Sequence, residues 1–318
     1  MKSMVYAACL LFCQTSLAET VFVTLEKDNA IAVVDPVEGK LLNTIAIGQR
    51  PRGIVLSKDQ QQLYIATSDD NTIQVIDINS LKPVATLPSG EDPETFAMSP
   101  AGDHLFVSNE DDSLVTVIDI KQKKAIKKIP VGVEPEPIAV SPDGKWIVSG
   151  SEATNMVHWI NKDTLAVEHN TLVDPRPRGL SFTSDSQQVW VTSEMGGTVT
   201  VLDTVTHEKI KSITFEIAGV SSDKIQPVGV IIDDKKQWAL VALGPANRVA
   251  LINAQTLQVE KYFLVGQRVW NLAFSPDQKR VYTTNGVSND ISIIDLEAMK
   301  VSKSISVGRY PWGIAVKP

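Results

Sequence analysis

Short apolar runs separated by turn-forming residues recur along almost the whole chain. From Gly53 to Pro88 they read GIVLS, QLYIATS, TIQVIDI and KPVATLP, each five to seven residues long. That is strand length, and the runs are rich in β-branched residues. Between them sit Gly, Pro, Asp and Asn, which supply the backbone angles of tight turns. The segment SPDGK, 141–145, is a hairpin turn by composition.

The unit repeats. A proline followed by two residues and an apolar one falls at Pro51, Pro93, Pro135, Pro177, Pro227 and Pro311, with steps of 42, 42, 42, 50 and 84. The last step halves to 42 at Val269, where GQRVW stands in place of GQRPR. An Asp or Asn closing an apolar run marks the same seven registers at Asp35, Asp77, Asp119, Asn161, Asp203, Asn253 and Asp295. Such a side chain accepts a hydrogen bond from the backbone two residues on and so sets the following turn. Four short strands per unit predict an all-β fold, a seven-bladed β-propeller of four-stranded blades, rather than a helical solenoid. Three strands precede the first hinge proline and one, Gly313–Lys317, follows the last. The C-terminal strand is therefore expected innermost in the N-terminal blade, closing the ring and leaving few open edges.

The first eighteen residues break the pattern. They carry one charge, Lys2, an apolar run from Met4 to Phe12, and end in Ser16-Leu17-Ala18. This predicts a secretory signal cleaved before Glu19, with one propeller domain over 19–318. The run is shorter than the ~20 apolar residues of a membrane span, so no span is expected after cleavage. Both cysteines, Cys9 and Cys13, leave with the signal. That excludes disulfides, thiolate metal sites and cysteine nucleophiles from the remainder. Without Lys2 the chain has 29 basic and 37 acidic residues, a net charge of −8. Nucleic acid and anionic lipid attract a surplus of Lys and Arg, so neither is an expected partner.

The segments VYTTNGVSNDISIID, FVSNEDDSLVTVID and YIATSDDNTIQVID resemble YVTN-type propeller repeats, and the match covers residues 19–318. The strings GQRPRG, GVEPEPIAVSPDGK, ITFEIAGV, ALGPANRVA, LVGQRVW, TTNGVSNDIS and VGRYPWG are similar to those of the PQQ-dependent catabolism-associated propellers of bacteria. The resemblance implies a periplasmic protein working beside a quinoprotein alcohol dehydrogenase and its c-type cytochromes, with PQQ as candidate cofactor. It implies no established activity. The dehydrogenases themselves resemble larger, eight-bladed propellers with tryptophan-rich repeats, whereas this chain has seven registers and six tryptophans.

In a propeller the hinge loops between blades share a face with the loops between second and third strands, and both surround the channel mouth. The residue after each hinge position is Arg52, Glu94, Glu136, Arg178, Val228, Trp270 or Trp312, and the one before it is Arg50, Asp92, Glu134, Arg176, Gln226, Arg268 or Tyr310. One reading is a polarised binding mouth. Arg50, Arg52, Arg176, Arg178, Arg248, Arg268 and Arg309 grip carboxylates by forked hydrogen bonds, Trp270 and Trp312 offer flat faces, and Glu94 and Glu136 supply the opposite charge. A planar tricarboxylate such as PQQ suits it, as do other anions. The alternative is that Arg and Glu of neighbouring blades pair with one another and lock the ring.

The acidic arc of Glu91, Asp92, Glu94, Glu134 and Glu136 has the oxygens Ca²⁺ takes, but carboxylates on separate loops are usually solvated, and no metal site is expected. Eight extra residues lie between Phe215 and Pro227, in FEIAGVSSDKIQ, a candidate partner contact or lid. The stretch 244–248, GPANR, and Asn285 and Asn289 share its face. His104, His158, His169 and His207 lack paired spacing, and no phosphate loop, CxxCH or serine elbow occurs. Three functions remain: a non-enzymatic accessory protein docking a dehydrogenase or cytochrome or handling its cofactor, a lactonase-type hydrolase using Glu94, Glu136 and the arginines, and a surface scaffold or adhesin.

Overall fold

The seven Asp and Asn markers close the third strand of every blade, and their side chains build the turns. Asp35 Oδ1 accepts the N–H groups of Val37 and Glu38, both at 2.9 Å, and Asn161, Asp203 and Asn253 repeat the pattern. Asp77, Asp119 and Asp295 accept from the residue three positions on. The turn ends on a left-handed residue, Gly39 in blade 1 and Leu81, Lys123, Leu165, His207, Leu257 and Met299 in the others.

The computed structural model describes residues 19–318. The expected signal, with Lys2, Cys9 and Cys13, lies outside the described residues. Twenty-eight strands form seven four-stranded antiparallel sheets. In chain order, blade 1 holds β1 (Thr20–Leu25), β2 (Ala30–Asp35) and β3 (Lys40–Ala46). The innermost strands of blades 2–7 are β4 (Pro51–Leu56), β8 (Pro93–Met98), β12 (Pro135–Val140), β16 (Pro177–Phe182), β20 (Val230–Ile232) and β24 (Val269–Phe274). The last strand, β28 (Pro311–Lys317), pairs with β1 through Thr20↔Lys317 to Leu25↔Pro311 and gives the order β28-β1-β2-β3. The ring closes as the repeat predicts. Glu19 adds a side-chain latch, accepting hydrogen bonds from Arg280 Nη2 at 2.5 Å and Tyr282 Oη at 2.7 Å in blade 7.

Middle strands read as continuous apolar runs because both their faces are covered by neighbouring blades. The core is accordingly divided among the seven seams. One cluster joins Phe22 and Ile31 of blade 1 to Leu63 and Ile65 of blade 2, and another joins Phe106 and Val115 of blade 3 to Ile147 and Ile160 of blade 4. Outer strands alternate and stay exposed. Blade 6 departs most from the pattern, its inner strand β20 being three residues long where the others have six or seven. Among the described residues no helix is long and apolar enough to cross a membrane.

Candidate functional site: the channel mouth

Each hinge presents its residues by a backbone device. Arg50, Asp92, Glu134, Arg176, Arg268 and Tyr310 have φ between 45° and 63°, the left-handed region that non-glycine residues seldom occupy. An asparagine 21 positions earlier, itself left-handed, caps five of them: Asn29 Oδ1 accepts from Arg50 N, and Asn71, Asn155, Asn247 and Asn289 do the same for Asp92, Arg176, Arg268 and Tyr310. The side chains before and after the hinge proline therefore turn toward the mouth.

There they meet one another. Arg50 donates from Nη1 to Asp92 at 2.8 Å and from Nη2 to Glu94 at 2.8 Å, while Arg52 Nη1 donates to the other oxygen of Glu94 at 2.7 Å. Arg178 pairs with Glu136 and Glu152. Arg176 Nε lies 2.7 Å from Glu152 and 3.2 Å from Glu194, and Arg268 Nη2 donates to Glu194 at 2.9 Å. The tryptophan faces are taken as well: the Arg268 guanidinium stands 4.3 Å from the Trp270 ring centre, and that of Arg52 stands 5.3 Å from Trp312. Nine of the sequence-selected residues thus form one belt. Arg248 and Arg309 do not join it. Arg248 hydrogen-bonds the carbonyls of Ala246 and Asn247 in its own loop, and the exposed Arg309 pairs with Asp28 at 2.6 Å.

Four carboxylates of the belt were missed in the sequence reading. Glu26, Glu110, Glu152 and Glu194 each follow the second strand of a blade, and they reach across to the residue after the hinge. The signal was present: positions 26, 68, 110, 152 and 194 are 42 apart, as the hinge prolines are. Within a blade the two facing residues are 16 apart, which gives Glu94 with Glu110, Glu136 with Glu152 and Arg178 with Glu194. In blade 7 the pair is Trp270 with Gly286, where a Cβ would collide with the indole.

Burial sets the electrostatics. Glu94 is wholly buried, which raises its carboxyl to about 8 against the pull of Arg52 and Arg50. Glu136, 1% exposed, is likewise raised by burial despite Arg178. Glu152 stays below the usual range: burial opposes its charge, but a hydrogen bond from Glu136 and the guanidinium of Arg178 outweigh it. Arg178 is held charged, its burial overcome by Glu136, Glu152 and Glu194. Oxygens of Asp92, Glu94 and Glu110 lie within 4.8 Å of one another, as a cation would need, but Arg50 and Arg52 already occupy two of these carboxylates. Of the arc suggested for Ca²⁺, Glu91 and Glu134 stay exposed.

Beside the belt, the extra residues and the turn after β17 (Gln188–Ser193) enclose an open cleft of about 610 Å³. Its walls include Phe215, Ile225 and the exposed Met195, with Lys224 at its edge. Among the described residues no histidine joins the belt. His158 is buried in blade 4, accepting from Gly132 N at 2.9 Å and meeting Asn170 at 2.6 Å. His169 and His207 stack at 4.1 Å on the flank against Trp146 and Trp159, and His104 lies at the far end of its strand.

The cytochrome d1 haem domain family model matches residues 58–172, about a third of the chain. No curated protein sequence matches it. Among solved structures, hydrazine synthase of Kuenenia stuttgartiensis is 19% identical over 87% of this chain and 92% of that one, with a TM-score of 0.80. A putative 6-phosphogluconolactonase from Bacteroides fragilis is 17% identical over 96% and 99%, with a TM-score of 0.79. The dihydro-haem d1 dehydrogenase NirN, in complex with DHE, is 14% identical over 93% and 74%, with a TM-score of 0.70. At these identities the likeness is one of fold, and the chain is a seven-bladed β-propeller whose second to fourth blades are similar to the cytochrome d1 haem domain.

Proposed function

We propose that this chain is an exported, periplasmic and non-enzymatic propeller that docks a basic redox partner on its mouth face, a c-type cytochrome or quinoprotein dehydrogenase of PQQ-dependent alcohol catabolism. The observation that carries the reading is the segregation of charge in blades 2–4. Their mouth-face loops hold Asp69, Asp70, Glu91, Asp92, Glu110, Asp111, Asp112, Glu134 and Glu152 and no lysine. All lysines of these blades, Lys121, Lys123 and Lys124 among them, lie on the opposite turns or the outer strands. An acidic sector of this kind steers a positively charged surface and fixes its orientation. The haem-linked names among the similar proteins and the YVTN and PQQ-associated sequence strings favour a cytochrome-type partner. The cleft beside Met195 offers that partner an apolar seat.

Cofactor handling at the mouth fits less well. A haem needs an axial ligand such as histidine, and the histidines lie in blade 4 or on the flank and far face. PQQ needs free guanidinium groups, and those of Arg50, Arg52, Arg176, Arg178 and Arg268 are engaged by the chain's own carboxylates.

One observation favours a second reading, a lactone hydrolase: burial raises the Glu94 carboxyl to about 8 and pushes that of Glu136 up as well, the direction a general acid needs. Affinity capture from periplasm of alcohol-grown cells, with Glu91→Lys/Glu134→Lys as control, separates the two. Docking predicts a cytochrome or dehydrogenase retained by the native protein and lost from the control. Turnover of a lactone panel that Glu136→Gln abolishes would replace docking with catalysis.

A further inference from the structure

The charges of the belt do not balance. It contains seven carboxyl groups, from Glu26, Asp92, Glu94, Glu110, Glu136, Glu152 and Glu194, against five guanidinium groups, from Arg50, Arg52, Arg176, Arg178 and Arg268. Adding the exposed neighbours Asp69, 3.6 Å from Arg50, and Lys27, 3.4 Å from Glu26, contributes one charge of each sign and leaves the excess at two. Two uncompensated charges among buried groups are costly, and a carboxyl relieves the cost by keeping its proton. Two side-by-side carboxyl pairs stand where such protons fit. Oxygens of Glu94 and Glu110 lie within 4.8 Å of one another, Glu136 and Glu152 share Nη1 of Arg178, and each pair stands at the mouth end of one blade.

We propose that the belt is a proton-operated latch: with one proton in each of the Glu94–Glu110 and Glu136–Glu152 pairs it is neutral and closed, and loss of both protons drives the paired carboxylates apart and opens the mouth. Facing the first pair are Arg50 and Arg52 from blade 2, Asp92 from its own hinge and Glu152 from blade 4. Facing the second are Arg178, Arg176 and Glu194 from blade 5, with Glu94 across the seam. The guanidinium groups are already shared between carboxylates, so they have no spare charge to neutralise new ones. The hinges are where the strain yields, because Asp92 and Glu134 already sit at φ 45° and 56°. Burial places the Glu94 transition at about 8, just above neutrality. Beneath the latch the inner strands enclose a channel space of about 150 Å³ lined by Thr95, Arg178, Asn271 and Trp312. An effect of opening on docking rests on the proposed function; the latch itself is read in the isolated protein, so either idea can fail alone.

The test is a carboxyl ¹³C titration of glutamate-labelled protein without a partner, combined with spin labels across the mouth. Residues 19–318 contain no cysteine, so Val133→Cys and Val287→Cys, both at half-exposed positions, take the labels uniquely. The latch predicts two glutamates that keep their protons above neutrality, one with a midpoint near 8. It also predicts an inter-label distance that lengthens and broadens over the same range, and the loss of both effects in Glu94→Gln/Glu136→Gln. Titration of every glutamate in the ordinary carboxyl range, about 4 to 5, would overturn it, and so would titration near 8 with an unchanged distance. The carboxyl titration uses the native belt and does not depend on how the glutamine variant folds.

Discussion

Blades 3, 4 and 5 and blades 6 and 7 use one backbone plan for different ends. At the two positions that face each other across the mouth, the first group carries Glu94 with Glu110, Glu136 with Glu152 and Arg178 with Glu194, and the second carries Val228 with Gly244 and Trp270 with Gly286. On the first side the hinges are short and the inner strands six residues long; on the second the insertion lies before a shortened β20. The repeat fixes where a side chain points, and the loop residue alone decides whether that point is ionic or apolar. Blades 3–5 therefore carry ionic positions and blades 6 and 7 apolar ones on one backbone plan, an asymmetry that suits the proposed docking of an oriented partner.

The comparison breaks most sharply at Arg178. Removing a buried guanidinium leaves Glu136, Glu152 and Glu194 without their shared cation, and the expected loss for Arg178→Ala is about 3–5 kcal/mol in urea unfolding. Trp270→Ala on the other side, where the ring is only half-buried, should cost less. Equal losses would mean the ionic half has no special weight.

Stability should also depend on pH in the direction opposite to an ordinary salt bridge. Glu94 in the folded chain holds its proton to about 8 and in the unfolded chain only to about 4.5, so the folded state binds more protons between these values. Its contribution is fully present below the lower value and is lost as pH rises through the upper one. Denaturant midpoints should fall from mildly acidic to alkaline pH, and Glu94→Gln should flatten the slope.

Smaller effects sharpen the functional half of the contrast. Glu91→Lys/Glu134→Lys changes exposed groups, so stability should stay within about 0.5 kcal/mol, while partner association slows about tenfold at low salt. Met195→Ala should weaken docking by about 1 kcal/mol, seen as faster dissociation in surface-binding kinetics with little change in association rate. A reversed assignment, with Met195 governing association, would place the steering on the apolar side.

The fold was legible because its determinants are local and periodic. Pro51 and its successors, and Asp35 and its successors, mark turns whose chemistry acts within three residues. The ring closure followed from counting strands at the two ends. The site was half legible. Arg178 and Glu136 follow from the hinge register, but Glu152 and Glu194 were not singled out, because burial depends on how near a loop lies to the ring axis. The same blindness grouped Arg248 and Arg309 with the mouth, although each is satisfied in its own loop or pair. That Arg and Glu neutralise one another rather than await a ligand is a matter of reach between blades, about 42 residues apart in sequence for Arg50 and Asp92.

The most direct test is a titration of purified protein with a purified basic c-type cytochrome from the same periplasm, repeated across ionic strength. The account predicts saturable binding that weakens about tenfold or more as salt shortens the screening length from ~30 Å toward ~8 Å, and that Glu91→Lys/Glu134→Lys weakens about tenfold at low salt. Binding that ignores both salt and charge reversal, or no binding to any such cytochrome, would contradict it.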